Sequence, residues 1–209
     1  MLARTTAPGA PTAAVLVLHG GSADSVAPVG RFALAALRLV PIARAIARQA
    51  PDAAVYRLRN SVRGWNGNGA EVLDDARWAV DLIAHTHPDV PVVVVGHSLG
   101  GRVAVHVAQD GWPVVGVVGL APWLVASDPV DGLRGVPVSV VQGSRDRAIP
   151  TRSTQPWLAR AAAAGALLQS NVVEHGGHAM LRHQRQWERL CVQGVRRVLD
   201  SSRKVAESS

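Results

Sequence analysis

The sequence predicts a doubly wound α/β sheet of about six mostly parallel strands, with helices on both faces. Three observations carry that prediction. Valine-rich apolar runs of strand length recur along the chain, segments with apolar residues at helical spacing lie between them, and turns rich in glycine follow several of the runs. A run that is apolar at every position suits a strand covered on both faces, as in a parallel sheet, rather than one with a wet side.

The first run is residues 13–18, AAVLVL. Residues 1–12 before it hold Pro8, Gly9 and Pro11 and are expected to form a flexible arm. Residues 31–49 have helical spacing, with Pro41 as the expected break because its ring removes a donor and clashes with the preceding turn. Residues 53–58 are the second run. Residues 70–86 form the clearest helix: Val72, Leu73, Ala76, Val80, Ile83 and Ala84 share a stripe from which Glu71, Asp74, Asp75 and Asp81 are absent. Strands follow at 91–95, 114–120, 136–141 and 170–174, and helices at 99–110, 152–164 and 182–199. A single domain over 13–200 and a flexible tail over 201–209 complete the prediction.

Composition narrows the function. With 48% hydrophobic residues in a chain of 209, there is enough apolar material for one sizeable core. No apolar run approaches the roughly 20 residues of a membrane-spanning helix. The run at 13–18 is also too short for a signal-peptide core, so a cytoplasmic location is expected. The net charge of +7 comes from scattered arginines, Lys204 being the only lysine, and lacks the basic patch that nucleic-acid binding needs. Cys191 is the sole cysteine and lies in an apolar-periodic stretch, where it reads as a buried, inert thiol. No phosphate loop, dinucleotide fingerprint or zinc-ligand spacing occurs, so neither a cofactor nor a metal is implied.

The chemistry concentrates at Gly96-His97-Ser98-Leu99-Gly100-Gly101, between a strand and a helix. A serine in a tight strand-to-helix turn projects its hydroxyl above the sheet, and glycines two positions either side let neighbouring backbones pass. The same turn aims the Leu99 N–H and the positive helix end at the place where an oxyanion would form. A serine hydroxyl needs a base and the base needs an orienting acid. In such sheets all of them should follow strands, because ligands bind beyond the carboxyl ends.

The G-H-S-x-G-G segment resembles the nucleophile elbow of the α/β-hydrolase family, and further resemblances follow from it. His19-Gly20-Gly21-Ser22 is similar to that family's oxyanion loop, which implies the Gly21 N–H as second donor, with Ser22 as the alternative. The loop at Gly176-Gly177-His178, after the last strand, resembles the place of the family's histidine; His178 is the implied base and His175 the alternative. Residues 143–150 resemble the acidic loop, with Asp146 as the implied acid and Asp128 or Asp131 as alternatives. His97 is expected to point away from the serine and pack. The resemblance is to a small, uncapped member, similar in scale to dienelactone-hydrolase-like and small carboxylesterase or thioesterase proteins, since residues 121–135 are too few for a cap domain.

Without a cap, Trp65, Trp123 and the segment around Trp157 are the expected substrate-site walls. Arg59, Arg63, Arg102, Arg145 and Arg147 are expected at the same edge, where they could favour an anionic substrate. The implied activity is hydrolysis of a small ester or thioester through an acyl-enzyme on Ser98. A C–C hydrolase or perhydrolase with the same triad, and a non-catalytic binding protein on the same fold, are the alternatives.

Overall fold

The computed structural model describes residues 1–6 and 9–207. Seven strands form one sheet in the order β1-β3-β2-β4-β5-β6-β7: β1 (Leu2–Thr6), β2 (Ala13–Leu18), β3 (Ala53–Leu58), β4 (Val92–His97), β5 (Val114–Leu120), β6 (Pro137–Gly143) and β7 (Leu167–Val173). All neighbours are parallel except β1, which runs antiparallel to β3.

β1 corrects the sequence reading, which left residues 1–12 as an arm and counted six strands. Its five residues, LARTT, have no apolar run to mark them, and at the sheet edge they are only half-covered. β7 begins earlier than predicted for the same reason: Gln169, Ser170 and Asn171 lie in an edge strand that stays partly exposed. The central strands β2 to β6 match their apolar runs to within a residue or two, because only there does burial on both faces force continuous apolarity.

The described residues form six helices, α1 (Leu34–Leu37), α2 (Val40–Gln49), α3 (Ala70–Thr86), α4 (Leu99–Val107), α5 (Thr151–Ala163) and α6 (Gln184–Glu207), of which α2 to α6 cover the sheet. Strand periodicity divides the core in two. Leu16, Leu18, Tyr56 and Val94 face α3, α4 and α5, whereas Val15, Val17, Val55 and Val95 face α2 and α6. The break between α1 and α2 lies just ahead of Pro41, which occupies the first turn of α2, where a missing N–H costs no hydrogen bond. α6 runs to Glu207, so most of the tail expected to be flexible over 201–209 is helical instead. Cys191 is fully buried on α6, and burial pushes its thiol up to about 12.

Parallel register brings the strand ends level. Leu18 pairs with Leu58 and Gly96, and His97 pairs with Leu120. His19, Asn60, Ser98 and Ala121 therefore start their loops at one edge, and the segments after β6 and β7 reach it from the side. Between β5 and β6 there is one short turn of 3-10 helix, Asp131–Leu133, and no cap domain. Among the described residues no helix is long and apolar enough to cross a membrane.

Candidate active site

The elbow is built as its sequence requires. Ser98 has φ 53° and ψ −116°, a conformation that costs a non-glycine residue about 1–3 kcal/mol and persists only where surroundings enforce it. Four hydrogen bonds do so: the Ser98 N–H donates to Leu120, and its carbonyl accepts from Gly101, Arg102 and Trp123. A Cβ on Gly96 would overlap the Gly100 backbone, so a side chain at 96 would open the turn.

Three side chains meet above the sheet edge. The Ser98 hydroxyl lies 3.0 Å from His178 Nε2, and His178 Nδ1–H donates to Asp146 Oδ2 at 2.8 Å. The other Asp146 oxygen accepts the N–H groups of Ala148 and Ile149 at 2.9 and 2.8 Å, so the carboxylate is held from both sides while its side chain is buried. The loops carrying Asp146 and His178 are laced together, Arg145 N–H to the Gly176 carbonyl and His175 N–H to Ser144 Oγ. His175 itself is exposed and holds this loop by its backbone.

Asp128 is occupied elsewhere. It accepts hydrogen bonds from Arg102, His106 and the Val125 N–H at 2.8, 3.2 and 2.9 Å. Burial opposes its ionisation, but His106, Val125 and Arg102 outweigh it and hold the carboxyl below the usual range. Asp131 is exposed at the start of the 3-10 turn, so neither alternative acid is among the groups that hold His178.

On the oxyanion side, the Ser22 N–H donates to the Arg63 carbonyl at 3.0 Å. Among the described residues the N–H groups of Gly21 and Leu99 have no acceptor, and both flank Ser98. His19 fixes this loop: Nδ1–H donates to the Gly20 carbonyl at 2.7 Å and Nε2 accepts the Asn60 N–H at 3.1 Å. Burial lowers its pKa and keeps the ring neutral, as the accepting Nε2 requires. At Gly21 a Cβ would overlap the Arg63 carbonyl and crowd Leu99. Gly21→Ala should therefore lower kcat by about 10²–10³-fold, the scale for losing one oxyanion donor. Steady-state kinetics on any turned-over ester checks this; an unchanged kcat removes Gly21 from the site.

His97 has a part that sequence reasoning missed. It does turn away from Ser98, and its Nε2–H donates to the backbone carbonyl of His178 at 2.9 Å, with ring centroids 5.0 Å apart. It thereby positions the imidazole of residue 178 from below. Its place inside the elbow motif was the only available signal. Burial, aided by the charges of His178 and Arg38, pulls its pKa down to about 4 against the hydrogen bond to the His178 carbonyl, which favours the charged ring. Unfolding frees it to bind a proton below about 6.5, so stability is full above that pH and falls as pH drops towards 4. Urea denaturation should show His97 removing about 3 kcal/mol across this interval, with His19 adding in the same direction. His97→Gln should flatten the slope; an equal slope in both proteins refutes the assignment.

The expected substrate walls are corrected. An open cleft of about 730 Å³ holds Ser98 and His178 and is lined by the 19–25 loop, Val29, the start of α1, Arg38 and Arg63. Trp65 and Trp123 do not line it. Trp65 is buried, with the Arg102 guanidinium 3.9 Å from its ring centroid, and the same guanidinium lies 4.8 Å from the Trp123 ring centroid. Trp123 serves the elbow through its backbone, and Trp157 is wholly within the core. Of the five arginines expected at the edge only Arg63 lines the cleft; Arg102 is paired with Asp128 and Arg59 is bonded to the Val29 carbonyl.

Comparisons with known proteins agree with this architecture. A family model described as serine aminopeptidase, S33, matches residues 58–134, which include Ser98 but neither Asp146 nor His178. No curated protein matches the sequence. An alpha-beta serine hydrolase homologue from Coxiella burnetii superposes with a TM-score of 0.72 at 16% identity, over 92% of this chain and 89% of its own. A protein of unknown function from Agrobacterium tumefaciens gives 0.74 at 16% identity, over 95% and 91%. An acetyl ester-xyloside bifunctional hydrolase from Caldicellulosiruptor lactoaceticus gives 0.70 at 15% identity, over 92% and 85%. At such identities the likeness is one of fold.

Proposed function

Because this chain is an α/β-hydrolase-fold protein, we propose that it is a serine hydrolase that cleaves an ester or thioester through an acyl-enzyme on Ser98. The observation that carries the reading is the unbroken run of hydrogen bonds from the Ser98 hydroxyl through His178 to Asp146, next to two unengaged N–H groups. The matching family model and the hydrolase neighbours support hydrolysis as the reaction class.

In the reaction, the Ser98 hydroxyl attacks the carbonyl carbon as His178 Nε2 takes its proton. The tetrahedral oxyanion is held by the N–H groups of Leu99 and Gly21, and Asp146 stabilises the imidazolium. The carbon–oxygen or carbon–sulfur bond then breaks, with the proton passing from Nε2 to the departing alcohol or thiol. Water repeats the sequence on the acyl-enzyme, releasing a carboxylic acid and restoring the hydroxyl. An organophosphonate probe tests the reading: it should label a single serine, Ser98, and a panel of esters and thioesters should separate the leaving groups. Labelling elsewhere, or none, overturns it.

A further inference from the structure

Beside the cleft lies a second depression, of about 300 Å³ and largely apolar, lined by Leu34, Leu37, Arg38, Ile42, Met180 and Leu181 among others. Leu34 and Arg38 line both, so the two adjoin. Leu34 and Leu181 are 75% and 74% exposed, and Leu37 is 42% exposed. Large aliphatic side chains left uncovered around one groove, next to a nucleophile, mark a binding surface rather than ordinary surface composition.

Chemistry says which part of a substrate reaches this groove. The leaving oxygen or sulfur takes its proton from His178 Nε2 and so departs on the histidine's side. From His178 the chain runs straight into Met180 and Leu181, one wall of the groove, while α1 and α2 supply the other. At the junction, Arg38 has no carboxylate or hydrogen-bonded side-chain partner among the described residues. Its aliphatic stem can extend the apolar wall while the guanidinium stays in water.

We propose that this groove binds an alkyl chain on the leaving alcohol or thiol, so that the preferred substrates carry an apolar chain on that side of the ester or thioester. The inference rests on the serine hydrolase reading and adds the substrate class to it. At the roughly 30 Å³ a water-sized group occupies, the groove of about 300 Å³ has room for a chain of roughly ten carbons.

The test measures kcat/KM for acetate esters from ethyl to octyl, each below its aggregation concentration, in the wild type and in Leu37→Asp, Leu181→Asp and Trp78→Gln. The wild type should gain about twofold per methylene, part of the gain for full burial because the groove is open. Both aspartate variants should flatten the octyl-to-ethyl ratio, which is read within each protein so that a general loss of active enzyme cancels. Trp78→Gln, an exposed aromatic on α3, should keep the wild-type ratio. A flat wild-type series, or a slope that survives both aspartates, overturns the proposal. Failure of the underlying reading looks different: no ester is turned over and Ser98 takes no label.

Discussion

Ser98→Ala should lower kcat on the order of 10⁶-fold and abolish organophosphonate labelling while leaving the fold intact. The size follows from how the three groups act as a unit: without the hydroxyl, His178 has no proton to take and Asp146 no imidazolium to stabilise. For that reason His178→Ala should cost nearly as much alone, and the double variant little more than either. The fold should survive because Ser98 is fixed by its backbone, and the methyl of alanine fits where the serine Cβ already sits. Turnover that persists in Ser98→Ala, with circular dichroism unchanged, removes the nucleophile assignment.

Asp146→Asn should lower kcat by roughly 10⁴-fold, since an amide at this place offers the imidazole the wrong partner and lets it settle in the unproductive tautomer. The geometry supports a selective effect. Oδ2 faces His178 Nδ1, whereas Oδ1 is engaged by two backbone N–H groups, so a carboxamide rotated to keep those contacts would turn its NH₂ towards the ring. Asp128→Ala makes the contrast. It should leave the triad in place but cost stability, about 3–5 kcal/mol, because Arg102 is then a mostly buried cation with no counter-ion. Kinetics and urea denaturation on the two variants separate the roles; a large catalytic loss in Asp128→Ala without loss of stability would reverse them.

The two carboxylates differ in how far sequence alone can read them. Asp146 stands in a loop whose glycine and proline resemble a known pattern, so sequence alone singles it out as a candidate. Nothing in the spacing of Asp128 tells that Arg102 and His106, one turn apart on α4, point at it. The tryptophans show the opposite failure. Trp65 and Trp123 follow strands at the right edge, yet both rings pack against the Arg102 guanidinium and neither lines the cleft.

Sequence by itself determined the strands β2 to β6, the elbow and the order in which the chemistry-bearing loops arrive, because burial on both faces and a strained turn each leave a local mark on residue type. Tertiary structure alone decided the edge strand β1, the hold of His97 on the carbonyl of residue 178, and the groove adjoining the cleft at Leu34 and Arg38. Those depend on contacts between segments far apart in the chain. A half-wet edge or a lone side chain carries no periodicity from which such a contact could be read.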